Sequence, residues 1–211
     1  MKRALVLLAA LSLGGCISLL PKSPPPPRTF MLRAGDVARA EGPRIDAVVA
    51  VSQPGGDPAV LGNALVWTTG DEVAYVNQTQ WSSQADDGLR ALLIETLSRQ
   101  GRFSAASRSG ESGAGFAIAW DVLSFQIDSA GMTAHFSADV RIMQSPGRRL
   151  IAHDIISAEA PVSSRSQTAA AEALARAARE GSARIGVFAA EAAAQARAAA
   201  PDQDSAASIN R

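Results

Sequence analysis

Hydrophobic and polar positions divide the chain into an apolar start, a proline-rich stretch, and two rounds of strand patterning that each run into a helical period. Residues 29–33 predict a first short strand. Residues 44–52, dense in valine and isoleucine on both faces, predict a central strand. Residues 34–43 and 53–58 carry the glycines and prolines of loops, and residues 60–63 read as a short turn. Residues 65–69 and 72–77 flank Gly70 and Asp71, which predicts a hairpin because glycine accepts positive φ without steric cost.

A helical period follows Trp81. Ala85, Leu89, Leu92, Leu93, Thr96 and Leu97 recur at three- and four-residue spacing and mark a buried face, while Arg90, Glu95 and Arg99 lie off it. Ser83 is the expected N-cap, with Asp86 completing a capping box and Asp87 adding to the acidic first turn. Gly101 is the expected stop, with Phe103 folding back on the last turn. Trp81 itself has two readings, a core aromatic that docks the helix or part of a lipid-contacting groove; the first needs nothing further. Residues 104–115, rich in serine and glycine, read as a surface loop.

The second round starts at Phe116. Phe116, Ile118, Trp120 and Val122 share one face, but the apolar set then moves to Leu123, Phe125 and Ile127, which predicts a bulge or a change of surroundings. Residues 132–143 alternate cleanly, with Ala134, Phe136, Ala138, Val140 and Ile142 opposed to Thr133, His135, Ser137, Asp139 and Arg141. Turns at residues 128–131 and 145–147 make residues 116–159 a three-stranded meander. After a linker at 161–167, an alanine-rich helix runs from about residue 168 to 199 with Leu174, Ala178, Ile185, Phe188 and Ala192 on its stripe. Gly181 and Gly186 each cost it about 1 kcal/mol relative to alanine, which points to a bend or a close helix–sheet contact. Strands, helix, strands, helix, with one apolar face each, predict an α+β fold: a mainly antiparallel sheet with two helices packed on one face.

The start of the chain has a different character. Lys2 and Arg3 precede ten mostly apolar residues, and Leu13-Gly14-Gly15-Cys16 follows. Charged start, short apolar middle and small residues describe a secretory signal, and the run is shorter than the ~20 residues a spanning helix needs. Leu-Gly-Gly-Cys resembles a bacterial lipobox. That resemblance implies removal of residues 1–15 by cleavage between Gly15 and Cys16, and a diacylglyceryl and N-acyl lipid on Cys16. Cys16 is the single cysteine of the chain, so a disulfide within it is excluded. Two or more acyl chains make a stable anchor where one does not. Residues 16–28 then read as a lipidated cysteine and a proline-rich tether that reaches roughly 35 Å at ~3.1 Å per residue. Residues 29–199 form a single domain, and residues 200–211, beyond the last helix, read as a disordered tail. By resemblance to lipoprotein sorting, Ile17 after the cysteine implies the periplasmic side of the outer membrane, the inner membrane being the alternative.

Charge and chemistry remove several functional classes. Twenty basic side chains balance twenty acidic ones, so no basic field exists to attract nucleic acid. The chain has no Gly-x-Ser-x-Gly elbow and no phosphate loop ending in Gly-Lys-Ser/Thr. His135 and His153 are the two histidines. A metal site would need both, with carboxylates such as Asp139 or Asp154; a solvated strand face explains His135 better, and a helix start explains Asp86 and Asp87. No catalytic, metal or cofactor-binding residue is expected, and the chain reads as a non-enzyme.

The ordered set of features resembles the ABC-type transport auxiliary lipoprotein family, that of paraquat-inducible protein C. The shared features are the lipobox, Phe30-Met31-Leu32 in the first strand, the Val/Ile strand after Arg44, the hairpin into Tyr75-Val76, Trp81 before the helix, the meander and the terminal helix. Family members commonly carry tyrosine where this chain has Phe30, and the leucine usual after the tryptophan is less clearly placed. The resemblance implies a non-catalytic component of an ABC/MCE-type (mammalian-cell-entry) envelope lipid transport system. Its partners would be an MCE-domain protein with its ABC permease and ATPase, with phospholipid and a second copy of the chain as further candidates. The alternative is a structural lipoprotein that seats in an outer-membrane β-barrel, like the plug of the lipopolysaccharide translocon.

Overall fold

The computed structural model describes residues 25–110 and 113–199. The expected signal, Cys16, most of the tether and the tail after residue 199 lie outside the described residues. In chain order the elements are β1 (Arg28–Phe30), β2 (Ile45–Val51), β3 (Gly55–Gly56), α1 (Pro58–Leu61), β4 (Ala64–Thr69), β5 (Glu72–Trp81), α2 (Ala85–Gln100), β6 (Phe103–Arg108), β7 (Ala114–Asp128), β8 (Thr133–Gln144), β9 (Arg149–Pro161) and α3 (Gln167–Ala198).

β7 carries the sheet. One of its edges pairs antiparallel with β8 from Phe116↔Gln144 to Asp128↔Thr133. Its other edge is shared in succession by three strands, all parallel: β2 at its start, β3 opposite Asp121 and Val122, and β4 opposite Ile127 and Asp128. β9 extends the β8 side antiparallel, β6 extends β2, and the β4–β5 hairpin carries β1 on its far side. The long ladders are antiparallel, as the clean alternation predicts. The short parallel pairings come from strands that reach β7 by crossovers.

The change of parity in β7 is a bulge. Its register with β8 slips between Val122 and Ser124. Leu123, expected to open the new apolar set, is instead left 55 % exposed, and the slip keeps Phe125 and Ile127 in the core. Without the extra residue, both side chains would turn to the wet face.

Both long helices cover one face of the sheet. α2 buries the residues its spacing predicts, together with Gln100, and ends at Gly101 with φ 70°. Its start corrects the expectation. Ser83 is not the cap: the N-cap is Gln84, which makes no side-chain cap bond, and Ser83 Oγ donates to Gln84 O. Asp86 accepts from the Asp87 N–H rather than reaching back to the cap. The Ala85 N–H donates to Gly62 O at 3.0 Å, so a distant carbonyl replaces the capping side chain.

Three loop expectations are also corrected. Of the loop expected over residues 104–115, residues 104–108 belong to the edge strand β6 and 114–115 to β7; only Phe103 of β6 is buried, which gives a strand the composition of a loop. Gly55 and Gly56 pair with β7. The turn near residue 60 is the one-turn helix α1, capped by Asp57 Oδ1, which accepts from the Ala59 N–H at 2.8 Å.

α3 sits on the meander because its glycines let it approach. A Cβ at Gly181 would fall inside the ring of Phe136, and one at Gly186 would strike the Gln100 side-chain amide. Gln100 Nε2 in turn donates to Ala183 O at 2.8 Å, tying α2 to α3. From Phe136 an aromatic series crosses the core: Phe136 meets Phe125 edge-on at 6.5 Å, and Phe125 stacks on Trp81 at 5.7 Å.

Gly181→Ala tests that contact. Helix propensity alone would favour alanine by about 1 kcal/mol, but overpacking costs typically ~1–3 kcal/mol, so the variant should be less stable. Denaturant unfolding should show a lower midpoint at unchanged slope, and Phe136→Leu in the same chain should recover part of it.

Candidate functional site

The residues singled out from the sequence fall in three places. Gly15 and Cys16 lie outside the described residues. Trp81 is 3 % exposed; it is the end of β5, its N–H donates to Asn63 O at 2.7 Å, and its ring belongs to the core. The lipid-groove reading of Trp81 is therefore set aside.

The titratable residues lie on β7, β8 and β9. His135 Nδ1 is 3.1 Å from Glu159 Oε1, and His153 Nε2 is 3.0 Å from Asp139 Oδ2. Ser137 and Ser157 hydrogen-bond between these pairs at 2.9 Å. Arg141 lies between Asp121 and Asp139 and pairs with both. Asp154 takes no part: it is opposite Val140 on the helix-covered side, and its Oδ1 accepts from the Ile155 N–H at 2.8 Å. The two histidines thus engage different carboxylates across neighbouring strands. Among the described residues no group of three or more His, Cys, Asp and Glu side chains could hold a metal ion. This face offers charge and hydrogen-bonding groups in register, a surface for contact.

A concavity lies on the helix side, between residues 34–40, α3 and β9. It measures about 1050 Å³. Val37, Ile156, Val187 and Phe188 contribute to its apolar lining, and charged side chains of both signs, Arg179 and Glu191 among them, line it as well. One wall is a segment read from sequence only as a loop, and long-range contacts hold it. The Ala34 N–H donates to Glu95 Oε2 at 3.2 Å, and the Ala40 N–H to Gln100 O at 3.2 Å. Arg102, 6 % exposed, donates through Nε to Pro43 O at 2.9 Å and through Nη1 to Glu41 O. Its guanidinium fills the space a Cβ on Gly42 would need, and the φ of 107° there is one that glycine adopts without strain. Arg102 and Glu95 were not legible as wall-holders, since their partners lie about sixty residues away in sequence. Gly42-Pro43 was the one local hint.

Among the described residues no helix is long and apolar enough to cross a membrane. A family model described as the ABC-type transport auxiliary lipoprotein component matches residues 30–186. The chain belongs to that family. The match runs from the last residue of β1 to the middle of α3, so it takes in β2 to β9, the wall segment, all of α2 and the first part of α3. A Xanthomonas campestris protein of the DUF330 family has the same fold, with a TM-score of 0.72 at 18 % identity over 81 % of this chain and 99 % of that one. An uncharacterised protein has a TM-score of 0.61 at 19 % identity over 76 % and 97 %. The PelC dodecamer subunit from Paraburkholderia phytofirmans is more distant, at a TM-score of 0.46 and 12 % identity over 72 % and 97 %. No curated protein is a significant match.

Glu95 offers a test of the wall. Burial raises its pKa, but the Ala34 N–H and the Arg99 guanidinium, with Arg33 further off, outweigh it and hold the carboxyl below its ordinary 4.5. A depressed carboxylate contributes stability that is present above its unfolded pKa and lost as pH falls through the folded one. Glu95→Gln should lower stability at pH 7 by less than about 1 kcal/mol, because solvent screens the pair. The difference from the native chain should shrink as the pH is taken progressively below 4.5, measured by denaturant unfolding across that range and at pH 7.

Proposed function

We propose that this protein is a lipid-anchored, non-catalytic component of an ABC/MCE-type envelope lipid transport system. It is held by acyl chains on Cys16 at the periplasmic side of the outer membrane. The family match across residues 30–186 carries the reading. In this role an ATPase elsewhere supplies energy, while this chain supplies position and a binding surface for the MCE-domain protein that bridges the periplasm. No cofactor beyond the covalent lipid is needed. The half-apolar groove against α3 and the charged strand face are both contact surfaces, which agrees with docking rather than turnover.

The tether gives the reading a physical form. Pro24, Pro25, Pro26 and Pro27 favour an extended chain without internal hydrogen bonds, so the domain can stand away from the lipid while remaining attached. Two or more acyl chains hold such an anchor firmly.

Affinity capture of the tagged, lipidated protein from detergent-solubilised native envelopes, read by mass spectrometry, tests the partner. Recovery of an MCE-domain protein with its permease and ATPase is the expected result. Recovery of an outer-membrane β-barrel alone would replace the proposal with the plug reading. Cys16→Ala should move the protein from the membrane to the soluble fraction with its circular dichroism unchanged; retention of a processed variant in the membrane would count against the anchor.

A further inference from the structure

Among the described residues β9 is an edge strand that pairs only with β8, and the contacts on its other edge reveal which residues point their backbone outward. From α3, Arg184 Nη1 donates to Ser157 O at 2.7 Å and Arg176 Nη2 to Pro161 O at 2.7 Å. The Ile155 N–H donates to the Asp154 carboxylate. Outward backbone groups therefore sit at odd positions from Ile155 onward, and these arginines and Asp154 occupy part of that edge. Covering free groups with charged side chains is how edges are kept from pairing indiscriminately.

Among the described residues, no side chain hydrogen-bonds the outward backbone of the other half of the strand, although the end of α3 lies beside Arg149, Leu150 and Ile151. Alternation makes His153 the next outward residue. The register slip then pairs Ala152 with Ile142 and Leu150 with Met143, which makes Leu150 the outward residue beyond it. Leu150 is also 53 % exposed. The stretch from Arg149 to Asp154 remains, with Leu150 and His153 presenting outward backbone groups that no strand pairs among the described residues.

Its sequence complements itself. Run antiparallel to an identical strand with Leu150 opposite His153, it places Arg149 opposite Asp154 at both ends. Arg149 faces Gln144 and Asp154 faces Val140 across the β8–β9 ladder, and Gln144, Ile142 and Val140 share a face. The two charges therefore meet on the same side of the joined sheet. Ile151 and Ala152, the two residues at the slip, lie opposite each other's copies, so the numbers of residues match. Other registers do worse. Setting His153 against itself brings Arg149 opposite Ser157, whose carbonyl Arg184 already holds. Setting Leu150 against itself leaves Asp154 facing the turn.

We propose that β9 pairs antiparallel with β9 of a second copy across residues 149–154, closed by two Arg149–Asp154 ion pairs. The pairing requires neither the lipid nor the transport partners. Six residues a side fall well below a standard interface, so the dissociation constant should be on the order of tens of micromolar. Confinement on a membrane, where the proposed anchor would hold the chains, raises their effective concentration.

Light scattering and sedimentation of the full chain in mild detergent, with detergent mass subtracted, should show the protein mass rising from one copy to two across that range. Arg149→Asp and Asp154→Arg should each weaken the dimer at least about tenfold, and the two together should restore it, since the charges are exchanged. Circular dichroism should be unchanged in all three. A chain from residue 16 with Cys16→Ser should dimerise equally; loss of the dimer there would assign association to the lipid and overturn the proposal. A native chain that stays monomeric throughout, or a double variant that is not rescued, would also overturn it.

Discussion

The sheet depends on one strand having two usable edges along its whole length. β7 gives one edge to β8 and divides the other among β2, β3 and β4. Each backbone group so used is removed from water with its partner in place, the condition for burying a strand at all. The division has a consequence for shape: β2 with β6 and β4 with β5 and β1 form separate wings on the same central strand. The bulge at Leu123 keeps the core face continuous along β7, so both wings pack beneath the same helices.

Helix packing depends on small residues in the same way. α3 is rich in alanine, and its buried face comes close to its neighbours because Gly181 leaves room for Phe136 of the sheet and Gly186 for Gln100 of α2. The cost in helix propensity at two positions is set against a dense contact that anchors the series Phe136, Phe125 and Trp81. Trp81 then fixes the end of β5 and the start of α2. A helix with larger side chains at those two positions would stand off the sheet and leave the aromatic rings without cover.

Surface features follow from this frame. The helices occupy one face, so the polar alternation of β8 remains outside as a band of paired charges. The segment before β2 is drawn over α2 by Glu95, Gln100 and Arg102, and that draping creates the groove against α3. Arginines of α3 reach the free edge of β9 and cover part of it. Each surface on which the proposed docking role depends is thus a by-product of how the core is packed.

The sequence by itself determined the elements with strong periodicity. The buried face of α2, the alternation of β8, the parity change in β7 and the close helix–sheet contact at Gly181 were all legible, because burial imposes a period on side chains wherever one face is wet and the other dry; Gly186, read the same way, meets α2 instead. The family was legible too, in the order of those elements. Tertiary structure alone decided the rest. β6 has the composition of a loop because only Phe103 is buried. The start of α2 is satisfied by Gly62 rather than by Ser83. The groove wall is held by partners about sixty residues away. In each case the deciding interaction is a backbone group meeting a partner distant in sequence, and such meetings leave no local pattern to read.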